Sequence, residues 1–304
     1  MRQLELFVAK NRGSPASRGG VKIEEITCRS ALQRPPWDEY TLNPYRGCLH
    51  ACVYGYCRMM QRFEDDPPPW GTYCHARTNM PNVLAREVKR YPPKQVMVGS
   101  VCDAWQWPEK HFGITRECLL ILLKGGFPLR CLTKSDLIRR DFDVLSQYRN
   151  MVTIGVSLST PPPLSLLWEP RASPPEERLK ILAEAAQYGI PIYLSLSPLL
   201  PGLGDDVDSL SALFARIRRL PLQGLWVDLV HARSGVWRAC YPLLAKRFPK
   251  LLPLWRKIFF DHGEAQRYAG KLRVRILEAA VRSGLRCRID LKGYEVARRC
   301  GRQI

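Results

Sequence analysis

From about Thr41 to Val230, short β-branched or apolar runs alternate with longer segments of helical period. The runs Tyr40–Pro44, Gln95–Val101, Leu129–Thr133, Val152–Leu158, Pro191–Ser197 and Gly224–Val230 predict strands. Between them, Thr115–Lys124, Phe142–Tyr148, Pro174–Tyr188 and Val207–Arg219 predict helices. The third of these carries Ser173 as a cap, Pro174 at the first helical position and Glu176 as the other half of a capping box, and it ends near Gly189. Its apolar positions Leu179, Leu182, Ala183 and Ala186 fall on one helical face. Strand–helix alternation implies parallel strands joined by right-handed crossovers. Six units fit an α/β fold with a partial (β/α)6 TIM-like barrel better than a complete eight-fold one. Periodicity leaves the strand order open.

The rhythm has edges. Residues 1–37 are rich in Arg, Gly, Ser and Pro and predict an N-terminal arm, followed by the barrel at 38–231. Residues 232–304 predict a basic C-terminal α/β extension, with a helix over Gln266–Ser283 and an extended Arg286–Leu291. Within 251–304, thirteen Lys/Arg stand against five Asp/Glu, and Trp255, Phe259, Phe260, Tyr268 and Tyr294 are interleaved.

Composition sharpens this picture. The 304 residues carry 47 Lys+Arg against 28 Asp+Glu, a formal charge of +19, which favours a polyanionic partner, nucleic acid first. An apolar fraction of 46% is too high for a disordered chain. Apolar runs such as Cys118–Leu123 are far shorter than the ~20 residues of a bilayer span, so no membrane association is expected. Nor does the start show an export signal. Eleven cysteines, an odd number in a core-forming chain, predict reduced thiols and a cytoplasmic location rather than a disulfide framework.

The chemistry concentrates in Asn43-Pro-Tyr-Arg-Gly-Cys48-Leu-His-Ala-Cys52-Val-Tyr-Gly-Tyr-Cys57-Arg58. Three thiols within ten residues after a short strand point to metal, and iron–sulfur chemistry uses such sets. Three protein ligands leave one metal position open. Zinc is the rival, but no well-placed fourth Cys or His completes a structural site.

This segment resembles the radical S-adenosylmethionine (SAM) superfamily, specifically the group similar to spore photoproduct lyase. The resemblance continues through Val98-Gly-Ser-Val-Cys-Asp103, Trp107-Pro-Glu-Lys110, Leu132-Thr-Lys-Ser135, Val156-Ser-Leu-Ser159, Glu169-Pro-Arg-Ala-Ser173 and Pro198-Leu-Leu-Pro-Gly202. It covers about residues 40 to 230. One departure stands out. The family spacing is Cys-x3-Cys-x2-Cys, whereas Gly55 occupies the third position here and Cys57 gives Cys48-x3-Cys52-x4-Cys57. Two extra residues span up to ~7 Å, and Gly55 is expected to give the loop its freedom. Three readings stay open: Cys57 is the third ligand, Cys102 completes a rearranged site, or the cluster is lost and the fold serves binding alone.

The resemblance implies a [4Fe–4S] cluster on Cys48, Cys52 and Cys57, with SAM chelating the open iron. Reductive cleavage of SAM would then abstract hydrogen from a substrate, with electrons from a donor such as flavodoxin or ferredoxin. Cofactor contacts are expected at strand ends: Lys134 for the SAM carboxylate, Ser100 and Asp103 for its amino group, Tyr56 near adenine. Ser157 and Ser159 alternate with apolar neighbours, so both face one side of their strand. Cys102 is a weak candidate for a hydrogen donor. A nucleic-acid substrate, as in lesion repair, is the leading expectation. A non-enzymatic nucleic-acid-binding protein on a decayed scaffold, or a radical SAM enzyme acting on a protein or small molecule, are the alternatives.

Overall fold

The computed structural model of the protein describes residues 20–35, 39–63, 66–233 and 235–290. Much of the expected arm, together with Tyr294 and the Arg298-Arg299 pair, lies outside them. The strands are β1 (Lys22–Ile26), β2 (Leu32–Gln33), β3 (Tyr40–Leu42), β4 (Tyr45–Arg46), β5 (Tyr73–Arg77), β6 (Val96–Val98), β7 (Leu129–Thr133), β8 (Val152–Leu158), β9 (Ile192–Leu199), β10 (Leu222–Leu229) and β11 (Arg288–Asp290). Eight of them form one sheet in the order β11-β10-β9-β8-β7-β6-β3-β2. All neighbours in it are parallel except β2, which is antiparallel to β3. From β3 to β10 spatial order follows chain order, which answers the question periodicity left open.

The central strands are apolar because both faces are covered. In β8 every residue but Thr153 is buried, and in β9 every residue but Ser197. Helices Met80–Glu87, Ile114–Lys124, Pro175–Gln187 and Val207–Ile217 occupy the crossovers. The last begins at Asp206, whose carboxylate accepts from Ser209 N at 2.8 Å. The helix Pro175–Gln187 starts differently from its sequence prediction. Pro174 is the cap and no side chain satisfies the first turn. Ser173 instead turns to the loop after β7, where its Oγ accepts from Asp136 N at 2.9 Å. The Phe142–Tyr148 segment also differs: its α-helix stops at Leu145, and a tighter 3-10 stretch follows in which Tyr148 leaves helical angles.

The two edges are more structured than expected. Within the predicted arm, β1 pairs in parallel with β5, and β4 pairs antiparallel to β5, giving a second sheet β1-β5-β4. At the other end, helices Val236–Arg247, Leu252–Phe260 and His262–Ser283 precede β11, which extends the main sheet beyond β10.

Most of the interleaved aromatics there pack inward rather than outward. Trp255 is fully buried, stacks on Trp168 at 5.4 Å and donates from Nε1 to Pro201 O at 2.8 Å. Phe259 stacks on Trp255 at 5.9 Å, and the Tyr268 hydroxyl donates to Asp205. Phe260, 67% exposed, is the exception among the described ones. Among the described residues, no helix is long and apolar enough to cross a membrane.

Candidate functional site

The site residues gather where parallel strands end, at the loops after β3, β6, β7, β8 and β10. The cysteine loop is held open by its neighbours. Gly47 has φ +83°, and a Cβ there would fall 2.6 Å from Tyr73 O. The buried Gln106 amide clamps the loop from both sides: Nε2 donates to Gly47 O at 3.1 Å, and Oε1 accepts from Leu49 N at 2.9 Å. Asn43 ties it to the loop after β6, donating from Nδ2 to Ser100 Oγ at 3.0 Å and accepting from Val101 N at 2.8 Å.

Between the first two thiols the chain makes a left-handed turn, and it falls on Ala51, φ 56°, rather than on Gly55. Gly55 matters for space instead of freedom. A Cβ there would meet Cys52 O at 3.0 Å and the Trp70 indole at 3.2 Å. Arg58 then gathers the looped-out backbone, donating to Gly55 O at 3.1 Å, Cys52 O at 3.2 Å and Val53 O at 2.8 Å.

Cys48, Cys57 and Cys102 form one buried contact group with Trp70 and Val101 packed against it. Cys52 is also buried, on the side of Tyr54 and Trp168. Cys57 donates to Cys102; this bond, followed by burial, pushes the Cys57 thiol well up and draws Cys102 down against burial. Burial pushes Cys48 well up, reinforced by Cys102 and Cys52. Burial pushes Cys52 up to about 11, with the Glu169 charge adding to the effect.

These side chains fit an iron–sulfur group by donor chemistry. Thiols brought together out of water favour a metal-bound thiolate. The buried Trp70 Nε1 beside Cys48, Cys57 and Cys102 has no acceptor among the described residues. Among the described residues, no three His, Cys, Asp or Glu side chains converge to hold a metal ion as they stand.

A polar cluster adjoins Cys52. Lys134 Nζ donates to Ser157 Oγ at 2.6 Å, lies 4.0 Å from Glu169 Oε1 and sits 5.8 Å from the centre of the Tyr54 ring. Ser157 passes its own hydrogen to Ser197 O at 2.7 Å. Ser159 shares Glu169 with Tyr54, whose hydroxyl donates to the same carboxylate. Both serines thus face this end of the sheet, buried, as their alternation requires.

Asp103 is held rather than free. It accepts from Lys134 N at 2.7 Å, Trp105 N at 2.9 Å and Thr133 Oγ1 at 2.8 Å, and lies 3.1 Å from His50 Nε2. Burial would raise its carboxyl, but His50 and the backbone donors outweigh burial and hold it at about 2. These partners tie Asp103 to both the cysteine loop and Lys134.

Tyr56 donates its hydroxyl to Ser100 O, with the His231 ring edge-on at 5.6 Å and the Arg233 guanidinium over its face at 5.0 Å. His231 pairs with Asp228 at 2.8 Å. Gln106, His50, Arg58, the Glu169–Arg178 pair and His231 are absent from the candidate set read from sequence. For Gln106 a signal existed: an amide set between two tryptophans in a matched segment.

Comparison with known proteins agrees with this geometry. A family model described as the radical SAM superfamily matches residues 42–213. An uncharacterized protein of Mycobacterium tuberculosis is 29% identical over 254 residues, covering 79% of this chain and 74% of its own. An uncharacterized protein of Methanocaldococcus jannaschii is 30% identical over 188 residues, 61% of this chain and 70% of its own. Among solved structures, a spore photoproduct lyase double mutant with bound AdoMet and dinucleoside spore photoproduct superposes with TM-score 0.66 at 14% identity, covering 92% of this chain and 87% of that one. Spore photoproduct lyase complexed with dinucleoside spore photoproduct gives 0.65 at 14% identity over the same shares. At that identity the likeness establishes the fold.

Proposed function

The chain belongs to the radical SAM superfamily, and on that premise we propose that it is a radical SAM enzyme acting on a nucleic-acid strand, in the manner of lesion repair. The observation that carries the proposal is the placing of the Cys48, Cys57 and Cys102 group, of Cys52, and of the Lys134–Ser157–Glu169 polar cluster at one end of a parallel sheet. In this reading the six parallel strands β3 to β10 curve into a partial barrel whose upper rim is the site.

Cys48, Cys52 and Cys57 would hold a [4Fe–4S] cluster, with Cys102 as the neighbouring thiol. When bound, the cluster and SAM supply one-electron reductive cleavage of SAM and hydrogen abstraction from substrate. The chain's own part is orientation and exclusion of water. Gln106 and Asn43 fix the loop that presents Cys48. Lys134, steered by Ser157 and Glu169, offers a positive charge for the SAM carboxylate. Ser159 and Ser157 face the same space, and Tyr56 and Ser100 close the side toward β6. Trp168 and Trp255 seal the thiols from the other side.

Electrons would come from a one-electron donor of the flavodoxin or ferredoxin class. The free thiols suit a reducing, cytoplasmic setting. The nucleic-acid assignment takes support from the +19 charge and from the dinucleoside bound by the structural neighbour.

Anaerobic reconstitution with iron and sulfide, followed by absorbance and EPR spectra with and without SAM, tests the proposal. A cluster signal that changes on adding SAM is expected. If wild type forms no SAM-responsive cluster, the enzyme reading fails and a binding protein on this fold takes its place.

A further inference from the structure

A groove of about 790 Å³ opens between the helices Leu252–Phe260 and His262–Ser283, apart from the thiols. Its floor is apolar, from Pro253, Leu254 and Ile258. Its walls are cationic: Lys250 and Lys257 on one side, Arg267, Lys271 and Arg275 on the other. The last three recur every fourth residue, so they form one row along the helix, about 6 Å apart by helical rise. One acid, Glu264, lines the groove; it is held by Arg267 at 2.8 Å. Arg275 is steered by Asp205 at 3.5 Å and lies 5.0 Å from the centre of the Tyr268 ring. Lys250, Lys257 and Lys271 have no carboxylate within ion-pair distance among the described residues.

The groove is tied to the site. Tyr268 and Arg275 both reach Asp205, in the loop leaving the C-terminal end of β9, and Trp255 bonds Pro201 in that loop. Leu200 and Leu203 of the loop pack in one cluster with Cys52, Tyr54 and Trp168. The loop after β9 therefore contacts the groove through Asp205 and Pro201 and shares a cluster with Cys52 through Leu200 and Leu203.

We propose that this groove binds the phosphodiester backbone of a nucleic-acid strand and so delivers the strand to the site. The proposal takes the class of partner from the function proposed above; the location is its own. The groove sets Lys250, Lys257 and Lys271 beside Leu254, Ile258 and Tyr268, which suits a single strand with phosphates on the cations and bases toward the apolar and aromatic side chains. An acidic folded protein would require a broader, flatter face.

The test is fluorescence anisotropy of the reconstituted full chain with a labelled single-stranded 20-mer, as DNA and as RNA, over a range of salt. Each phosphate contact on a single strand contributes roughly 0.7 to the slope of log affinity against log salt. The triple charge reversal K250E/K257E/K271E is expected to lower that slope by about 2 and weaken binding at least tenfold at low salt. Reversal at exposed cations elsewhere, R86E/K89E/R90E, is expected to change binding less than about twofold, with iron content of both variants as the folding control.

Equal losses in the two variants would reduce the effect to net charge and overturn the proposal. So would failure of wild type to bind either oligonucleotide, or groove-dependent binding of an acidic flavodoxin in its place. Failure of the radical SAM reading shows separately: groove-dependent strand binding by a chain that assembles no cluster would leave the groove standing and remove the enzyme.

Discussion

The carboxylate of Glu169 lies 2.5 Å from the guanidinium of Arg178, and neither side chain is more than 1% exposed. The pair is surrounded by bonds that leave little unsatisfied. Arg178 also donates to Ser157 O at 2.7 Å and Ser173 O at 2.6 Å, while Tyr54 and Ser159 donate to Glu169. Its energetic role follows from asymmetry: a buried pair adds modest stability, whereas a buried charge left alone is costly. The substitution E169A is expected to destabilise the chain by ~3–5 kcal/mol, read from the urea midpoint. A loss below about 1 kcal/mol would mean that Arg178 finds water, contrary to its burial.

The same carboxylate predicts an acid limb. Burial would raise its pKa, but Arg178, Lys134 and the Tyr54 hydroxyl outweigh burial and hold it below the ordinary value of 4.5. A group with a depressed folded pKa binds fewer protons folded than unfolded near that value. Its stabilisation is therefore present above pH 4.5 and lost as pH falls. In urea titrations of the iron-free chain, the gap between wild type and E169Q should be widest near neutral pH and shrink below pH 4.5. A gap independent of pH would remove the ionised Glu169.

The Gln106 clamp predicts a split between donor and acceptor. In Q106A, Gly47 O and Leu49 N both lose their partner inside the protein, at roughly 1–3 kcal/mol for each orphaned group. In Q106E the acceptor for Leu49 N survives and only the donor to Gly47 O is lost. Q106A is expected to lower both unfolding stability and iron retained after reconstitution, and Q106E, which buries an unpaired carboxylate beside Gly47 O, to lower both at least as far at neutral pH. Equal iron content in all three would show that the loop keeps its shape without the clamp.

How far the sequence reveals this molecule depends on where the determining contacts lie. Leu129–Thr133 and Val152–Leu158 match their predicted bounds residue for residue, since their mostly buried positions are set by apolar or β-branched residues along the run. β1, Lys-Ile-Glu-Glu-Ile, carries no such signal; it acquires meaning only by pairing with β5 about fifty residues away. The aromatics of the C-terminal helices were legible as a cluster but not in direction, because Trp255 turns inward for a partner, Trp168, in another segment. At the site, spacing singled out the three thiols and alternation put Ser157 and Ser159 on one side of their strand, while Lys134 came only through the family resemblance. For Asp103 the sequence could not show that Lys134 N, Trp105 N and Thr133 Oγ1 donate to its carboxylate, with His50 Nε2 3.1 Å away. Gly55 illustrates the same limit. Its tolerance of unusual angles suggested freedom, whereas a Cβ there would crowd Cys52 O at 3.0 Å and the Trp70 indole at 3.2 Å.

The third thiol of the cluster can be assigned by substitution, and the geometry makes the outcomes distinct. Cys57 and Cys102 touch, so loss of either changes the pocket, but only one is expected to be required. C57A should abolish iron and sulfide retention, while C102A should keep it. The double variant G55C/C57A would restore the family spacing, yet a side chain at position 55 starts toward Cys52 O and the Trp70 indole. It is therefore expected to stay iron-poor and to lose ~1–3 kcal/mol of stability from overpacking. Iron and sulfide analysis after reconstitution, with thiol counts on the unfolded chain, checks all three. Full iron in C57A with none in C102A would assign the third ligand to Cys102, and recovery of iron in G55C/C57A would show that the loop reshapes around the family spacing.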